Sequence, residues 1–134
     1  MRTRTTWAVL IACAAFATGC GADENTAGGD DREQIRQVIE ELGAAARAGN
    51  GARVCDELFT ENLRISITRA SQRSCAQEVQ RNIAGPNTRY RLEDLNVKGD
   101  QATGLTIDQQ GRRSALLMQL EGGRWRIARI GTPD

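Results

Sequence analysis

The sequence contains no histidine among its 134 residues, which removes the commonest general base of enzymes and the commonest side-chain ligand of metals. Aromatic residues make up only 4% of the chain, and Tyr90 is the single tyrosine. Phenol chemistry could therefore come from one position alone. From these absences we assign no catalytic residue, no metal site and no cofactor.

The chain also lacks an excess of charge of either sign. Its 18 basic and 17 acidic residues leave a net charge of +1, which gives no electrostatic case for binding nucleic acid. With 40% hydrophobic and 26% charged residues, the composition is that of an ordinary soluble domain. The length fits one domain plus additional segments.

No hydrophobic run is long enough to remain in a bilayer as a spanning helix. The apolar stretch at residues 7–17 has 11 residues and follows Arg2 and Arg4. A basic start followed by a short apolar run is typical of a signal peptide. We predict that residues 1–19 are such a signal and that the mature protein is extracytoplasmic.

The signal ends in Ala17-Thr18-Gly19-Cys20, which resembles a bacterial lipobox. The resemblance implies that Cys20 carries palmitate and anchors the mature chain to the cell membrane. The alternative is cleavage after Ala17 and release of a soluble protein. Lipidation of Cys20 is favoured because it leaves Cys55 and Cys75 as an even pair, whereas a soluble exported form would carry an odd thiol.

Small and acidic residues without apolar periodicity follow Cys20, so residues 20–30 are predicted to be a flexible tether. The folded domain is then residues 31–134. Helices are predicted from Asp30 onwards, at residues 52–60 and at residues 71–84, with Phe59 in the core. Residues 61–68 alternate apolar and polar side chains, which favours an edge strand. A disulfide between Cys55 and Cys75 is expected in an exported protein, and the alternative of a redox pair lacks a Cys-x-x-Cys motif.

The second half of the chain predicts a four-stranded antiparallel meander. Gly122-Gly123 between two strand-like runs indicates a two-residue hairpin turn that places Leu120 opposite Trp125 and Leu116 opposite Arg129. A phase slip at Glu93-Asp94 indicates a β-bulge. A three-residue turn at residues 99–101 and a two-residue turn at residues 110–111 would put the following side chains on the inner face: Thr103, Leu105 and Ile107.

The order of elements, the two cysteines, the Ala-Gly-Asn-Gly-Ala break after the first helix and the Gly-Gly-Arg-Trp-Arg-Ile ending resemble the NTF2-like (SnoaL-like, cystatin-type) family. In particular, the chain looks like the small exported lipoproteins of that family found in actinobacteria. The resemblance implies an α+β fold in which three N-terminal helices pack on a curved sheet of four to five antiparallel strands. It also implies a cone whose open end often holds a pocket.

Four residues are candidates for ligand binding in such a cone: Tyr90, Asp94, Trp125 and Arg129. The alternatives are a rim hydroxyl for Tyr90, a solvated bulge for Asp94 and a core position for Trp125. The predicted register places Arg129 on the core face, where it would bind an anion, pair with a helix carboxylate or lie on a frayed strand end.

Three functions are compatible with this pattern. The first is a non-catalytic envelope lipoprotein that binds a small apolar or amphipathic ligand or a protein partner. The second is a SnoaL-like enzyme with Asp94 or Tyr90 as its acid-base group, and the third is a structural lipoprotein without a ligand. The semi-apolar outer face of the last hairpin indicates a homodimer or another envelope protein as partner.

Overall fold

A computed structural model describes residues 24–133, with side chains described from residue 29. Cys20 and the predicted signal peptide lie outside these residues. The elements in chain order are α1 Glu24–Arg47, α2 Gly51–Arg53, a π-helix at Val54–Leu58, α3 Glu61–Ser71, α4 Cys75–Asn82, β1 Tyr90–Lys98, β2 Gln101–Asp108, β3 Arg113–Glu121 and β4 Arg124–Gly131. The predicted α+β class is confirmed.

The sheet is a meander in the order β1-β2-β3-β4, as predicted, and it is not closed. Helix α1 packs across one face of the sheet, which we call the inner face. The core between them consists mainly of aliphatic side chains from α1, the π-helix and the last two strands: Ile35, Ile39, Leu42, Val54, Leu58, Leu116, Met118 and Ile127. Phe59 is also buried in this core, as the sequence predicts.

Helix α1 begins at Glu24, six residues before the predicted start. Residues 24–30 of the predicted tether are therefore helical. Extending a helix that tertiary packing has already nucleated fixes one residue at a time, which costs far less than starting a new helix. The first buried side chain of α1 is Ile35, so packing begins well after the helix does.

The predicted edge strand at residues 61–68 is wrong, and with it the fifth strand of the sheet. The residues form α3, whose N-cap is Thr60; its hydroxyl accepts a hydrogen bond from the Leu63 backbone N–H at 3.2 Å. Leu63 and Ile67 pack against the core, whereas Ile65 between them is 37% exposed. Leu63 and Ile67 also satisfy the i, i+4 spacing of a helix. The N-cap at Thr60 then favours the helix over the strand.

The disulfide between Cys55 and Cys75 is present and joins the π-helix to the start of α4, with a Cα–Cα distance of 6.1 Å. Ser74 and Gln77 form a capping box at the start of α4, which explains why this helix begins after the predicted residue 71. The edge of β4 is covered, because the Thr60 N–H donates to the carbonyl oxygen of Ile127 at 2.9 Å.

The last hairpin has its two-residue turn at Gly122-Gly123, and both glycines have the positive φ that a type I′ turn requires. Leu120 pairs with Trp125 and Met118 with Ile127, as predicted. Beyond this point a bulge shifts the register, so that Leu117 pairs with Arg129 and Leu116 with Ile130. The predicted pairing of Leu116 with Arg129 is therefore wrong, and Arg129 lies on the outer face.

The predicted faces of β2 are also reversed, and the predicted two-residue turn at residues 110–111 is wrong, because Ile107 pairs with Arg113 and the turn contains the three residues 109–111. The turn from β1 contains two residues, because Lys98 pairs with Gln101 and Val97 with Ala102. A shift of one residue sends every side chain of a strand to the opposite face. Ala102 and Thr106 are buried on the inner side, and the outer face receives three side chains predicted for the core: Thr103, Leu105 and Ile107.

Candidate functional site

Trp125 belongs to the core. It is 2% exposed, and its indole Nε1 donates a hydrogen bond to Asp31 Oδ1 of α1 at 2.9 Å. The inner face around it is filled by the side chains of α1 and the strands. A buried indole whose N–H already has a partner serves to pack α1 on the sheet rather than to stack on a ligand.

Tyr90 lies on the inner side at the start of β1, half-buried and paired in register with Asp108. Burial raises the pKa of its hydroxyl, the Asp108 carboxylate raises it further, and Arg112 opposes both. A raised pKa keeps the phenol protonated at neutral pH. Tyr90 therefore lacks the lowered pKa that a phenol would need to act as a base.

Asp108 is engaged in closing the turn between β2 and β3. Its carboxylate accepts from the backbone N–H of Gln110 at 2.9 Å and of Arg112 at 3.0 Å, and from Arg112 Nε at 2.7 Å. Burial alone would raise the pKa of this carboxyl, but these hydrogen bonds outweigh burial and lower it. The carboxylate is thus a structural part of the turn.

Asp94 and Arg129 are brought to one site on the outer face of the sheet. Asp94 is the bulged residue of β1, with φ 48°, and the predicted bulge at Glu93-Asp94 is confirmed by the register shift between Glu93 and Asn96. Arg129 reaches the same face because of the second bulge in β4. Both residues line a groove of about 570 Å³.

The floor of the groove between these two residues contains three apolar side chains, within a lining that is about half polar. Neighbouring strands contribute Leu105, Ala115 and Leu117, with Thr103 beside them. The three apolar side chains are half-buried, although within residues 24–133 the helices make their main sheet contacts with β1 and β4 rather than with β2 and β3, which carry these side chains. They shield one another, and the smaller part of their surface that remains exposed is available to a partner.

The two ends of the groove carry opposite charge. Asp94 projects from β1 and Arg129 from β4, at opposite edges of the sheet. Among the described residues, neither side chain takes part in an ion pair. Two exposed opposite charges on either side of an apolar floor form a surface that can bind a complementary protein surface.

A second groove, of about 510 Å³, lies beside the disulfide between α3 and α4. Two arginines line it, Arg64 and Arg69, and Arg64 is paired with Asp56 and with Glu61. An adjoining groove of the same volume contains Arg126, whose Nη1 donates to the carbonyl oxygens of Asp56 and Phe59. Arg64 thus joins the π-helix to α3, and Arg126 joins β4 to the π-helix and to Phe59 after it.

The part of the chain that the structure describes contains no group of three or more cysteine, aspartate or glutamate side chains placed to hold a metal ion. Within residues 24–133, no helix is both long and apolar enough to cross a membrane.

The sequence reasoning missed Thr103, Leu105 and Ile107 as members of the outer face. The available signal was Gly99-Asp100, which suits a two-residue hairpin turn as well as it suits part of a longer one. Comparisons with models of known protein families, with curated proteins and with solved structures found no match to this chain. The site must therefore be interpreted from its own geometry.

Proposed function

We propose that this chain is an exported, lipid-anchored, non-catalytic binding protein that contacts a protein partner in the cell envelope through the outer face of its sheet. The observation that carries the proposal is the groove between Asp94 and Arg129, whose floor contains three apolar side chains between the two charges. Apolar area flanked by unpaired charges of opposite sign suits a protein surface, which can supply both kinds of contact at once.

Export and anchoring are supported by two features at different places in the chain. The amino-terminal sequence has the form of a signal peptide ending at Cys20. The disulfide between Cys55 and Cys75 is of the kind that persists in oxidising compartments. A palmitate on Cys20 would hold the domain at the outer surface of the membrane, while the nearly neutral polypeptide adds little electrostatic attraction to lipid.

We also propose a relationship to the NTF2-like family. Its support is an α+β order in which α1 crosses the inner face of a four-stranded meander, and bulges in β1 and β4 that bend such sheets. The helix α3 departs from the five-stranded form of that expectation.

A protein partner is favoured over the two other candidate functions, which are binding of an apolar ligand in a cone and catalysis. The inner face is packed with core side chains, so an apolar ligand in a cone has less support than a partner on the outer groove. The enzyme alternative needs Asp94 or Tyr90 as an acid-base group in a cone pocket, and it has less support because Tyr90 packs toward the core and Asp94 is exposed on the outer face.

Anchoring is tested by labelling cells with radioactive palmitate. We expect label in the wild-type protein and none in Cys20→Ser, with the variant released from the membrane fraction. Equal labelling of both proteins, or no label in either, would contradict lipidation at Cys20.

Binding is tested by placing a photo-cross-linking amino acid at Leu117 in the full chain and irradiating intact cells. We expect one discrete cross-linked species from Leu117. The matched control is the same group at Ile65, an exposed aliphatic position on α3, which is expected to give none. Failure of the Leu117 position to cross-link to any protein would overturn the proposed function.

A further inference from the structure

We propose that the partner on the outer face is a second copy of this chain, and that the two sheets pack face to face about a twofold axis parallel to their strands. The inference rests on the proposed function, since it names the occupant of the same surface. It follows from the positions of two charged residues relative to that axis and from the direction of α1.

Asp94 and Arg129 stand at the same level along the strands. Leu117 of β3 pairs with Thr103 on one side and with Arg129 on the other. Thr103 in turn pairs with Asn96, directly after the bulge that contains Asp94. The two charges are therefore separated mainly across the sheet, by three interstrand spacings or roughly 14 Å.

A twofold axis that runs parallel to the strands, between β2 and β3, places β1 of one copy over β4 of the other. Asp94 of each copy then lies over Arg129 of its partner, so that one operation produces two opposite-charge contacts. In the centre, Leu105 of one copy lies over Ala115 of the other. A surface that is complementary to itself in this way is what an isologous interface requires.

A twofold axis perpendicular to the strands, at the level of Asp94 and Arg129, gives the opposite electrostatic result. It would place β1 over β1 and β4 over β4, so Asp94 would approach Asp94 and Arg129 would approach Arg129. Like charges facing each other across an interface are unfavourable. The charge distribution therefore selects the parallel axis.

The direction of α1 selects the same axis. Asp31, early in α1, contacts Trp125 at the Gly122-Gly123 end of the sheet, whereas Gly43, late in α1, approaches Tyr90 at the opposite end. Helix α1 thus runs along the strands. An axis parallel to the strands leaves both α1 N-termini at one end of the dimer, as two copies anchored in the same membrane require, and the perpendicular axis would put them at opposite ends.

Among the other charges of the outer face, Arg113 of one copy would lie over Ile107 of the other. Lys98 of one copy would come level with Arg126 of the other, but Arg126 is directed away from the groove. Its Nη1 lies 3.0 Å from the carbonyl oxygen of Asp56 and 3.2 Å from that of Phe59, beyond the edge of β4. Arg91 and Glu93 on the same face pair with each other within one copy.

The size of the face indicates a reversible dimer. Four strands of about eight residues cover roughly 500 Å² per copy, so the interface buries about 1,000 Å² in total. This value lies at the lower limit for specific interfaces, where association is weak and concentration-dependent. Anchoring both copies in one membrane raises their effective concentration and compensates for the small area.

Charge exchange tests the geometry. The full lipoprotein, extracted in mild detergent, is analysed by sedimentation velocity over a range of concentrations. We expect Arg129→Asp and Asp94→Arg each to weaken the dimer by roughly tenfold, and the double variant to restore most of the affinity. The control Arg81→Asp changes the same charge on α4, outside the groove, and is expected to dimerise like the wild type.

Cross-linking in cells tests the choice of axis. Two differently tagged copies, one with Asp94→Cys and one with Arg129→Cys, are co-expressed and treated with a bis-maleimide of about 10 Å reach, which matches the spacing of stacked sheets. We expect mixed dimers only. Homodimers of Asp94→Cys together with homodimers of Arg129→Cys would overturn the parallel axis.

The photo-cross-link at Leu117 separates this inference from the proposed function. A product of twice the protomer mass that contains both tags supports the dimer. A product that contains a different protein, with a monomer at every concentration in the ultracentrifuge, overturns the dimer and leaves the proposed function standing. A charge-exchanged double variant as weak as the single variants would also overturn the proposed pairing.

Discussion

Gly51 occupies a position where helices α2 and α4 meet without space for a side chain. A Cβ on this residue would lie 2.3 Å from the carbonyl oxygen of Ala76, which is backbone and cannot rotate away. We expect Gly51→Ala to lower the free energy of unfolding by about 1–3 kcal/mol, the usual cost of forcing extra volume into a packed contact. Urea denaturation measures the change.

Gly29→Ala is the matched control, because a Cβ at that position of α1 meets nothing within 4 Å. Alanine favours a helix over glycine by about 0.5–1 kcal/mol, so this variant is expected to be equally or slightly more stable than the wild type. A similar loss of stability in both variants would show that the close approach at Ala76 is not the cause.

Asp108 makes stability depend on pH in the acid range. Its carboxyl has a lowered pKa in the folded state, because hydrogen bonds from Arg112 and Gln110 outweigh the effect of burial. A group of this kind contributes stability above its unfolded pKa, near 3.8, and loses the contribution as the pH falls through the folded pKa. We expect Asp108→Asn to be less stable at pH 7 and to lose stability less steeply below about pH 4. Thermal unfolding at a series of pH values tests this, and parallel curves for the two proteins would contradict it.

At the scale of elements, the start of α3 depends on one hydroxyl. The side chain of Thr60 is almost completely buried and accepts the Leu63 backbone N–H. We expect Thr60→Val, which keeps the shape of the side chain, to cost about 1 kcal/mol of stability because the N–H loses its partner. The control Ser66→Ala removes an exposed hydroxyl from the same helix and is expected to change stability little. Equal effects of the two changes would refute the capping argument.

The disulfide joins two short helices, the π-helix and α4. Closing a loop across a sequence separation of 20 stabilises a domain by about 3 kcal/mol on the chain-entropy model. We expect the double variant Cys55→Ala/Cys75→Ala to lose about that amount in urea denaturation. A reductant should lower the stability of the wild type toward that of the variant and leave the stability of the variant unchanged. A variant as stable as the oxidised wild type would show that the helices are held by packing alone.

Whether a segment forms a helix or a strand was predictable where its apolar residues follow one clear spacing, as in α1 and in the hairpin at Gly122-Gly123. It was not predictable at residues 61–68, because apolar residues at 63, 65 and 67 fit a strand, while 63 and 67 alone also fit a helix. The decision came from the buried Thr60 cap and from core contacts of Leu63 and Ile67, which only the assembled fold provides.

At the scale of the whole molecule, a change in salt concentration distinguishes the charged contacts of the proposed interface from its apolar contacts. At 1 M salt, exposed charges are screened within about 3 Å. We expect the dimerisation deficit of Arg129→Asp to shrink markedly at high salt. The deficit of Leu117→Ser, which removes apolar area, is expected to persist. Sedimentation at about 0.1 and 1 M salt measures both, and equal persistence of the two deficits would contradict a charge contact at Arg129.

The outer face shows that the length of one turn determines which side chains a whole strand places on each face of the sheet. A turn of two residues at Gly99-Asp100, instead of three, exchanged the two faces of β2 and moved Leu105 and Ile107 from the predicted core to the outside. The bulge in β4 likewise moved Arg129 from the predicted inner face to the outer face. Asp94 and Arg129 were both candidates from the sequence, and the bulge at Asp94 was predicted, but their place along one groove was not, because Arg129 reaches the outer face only through the bulge in β4.

The sequence by itself determined the α+β class, the four-stranded meander, the Gly122-Gly123 turn and the disulfide between Cys55 and Cys75. These depend on local periodicity, on turn chemistry and on a count of cysteines, all of which are readable along the chain. Only the tertiary structure decided that residues 61–71 are helical and which face each residue of β2 and β4 occupies. A face is set by pairing register, and register is chosen by the core as a whole, since a shift of one residue costs little locally but exchanges every side chain of the strand.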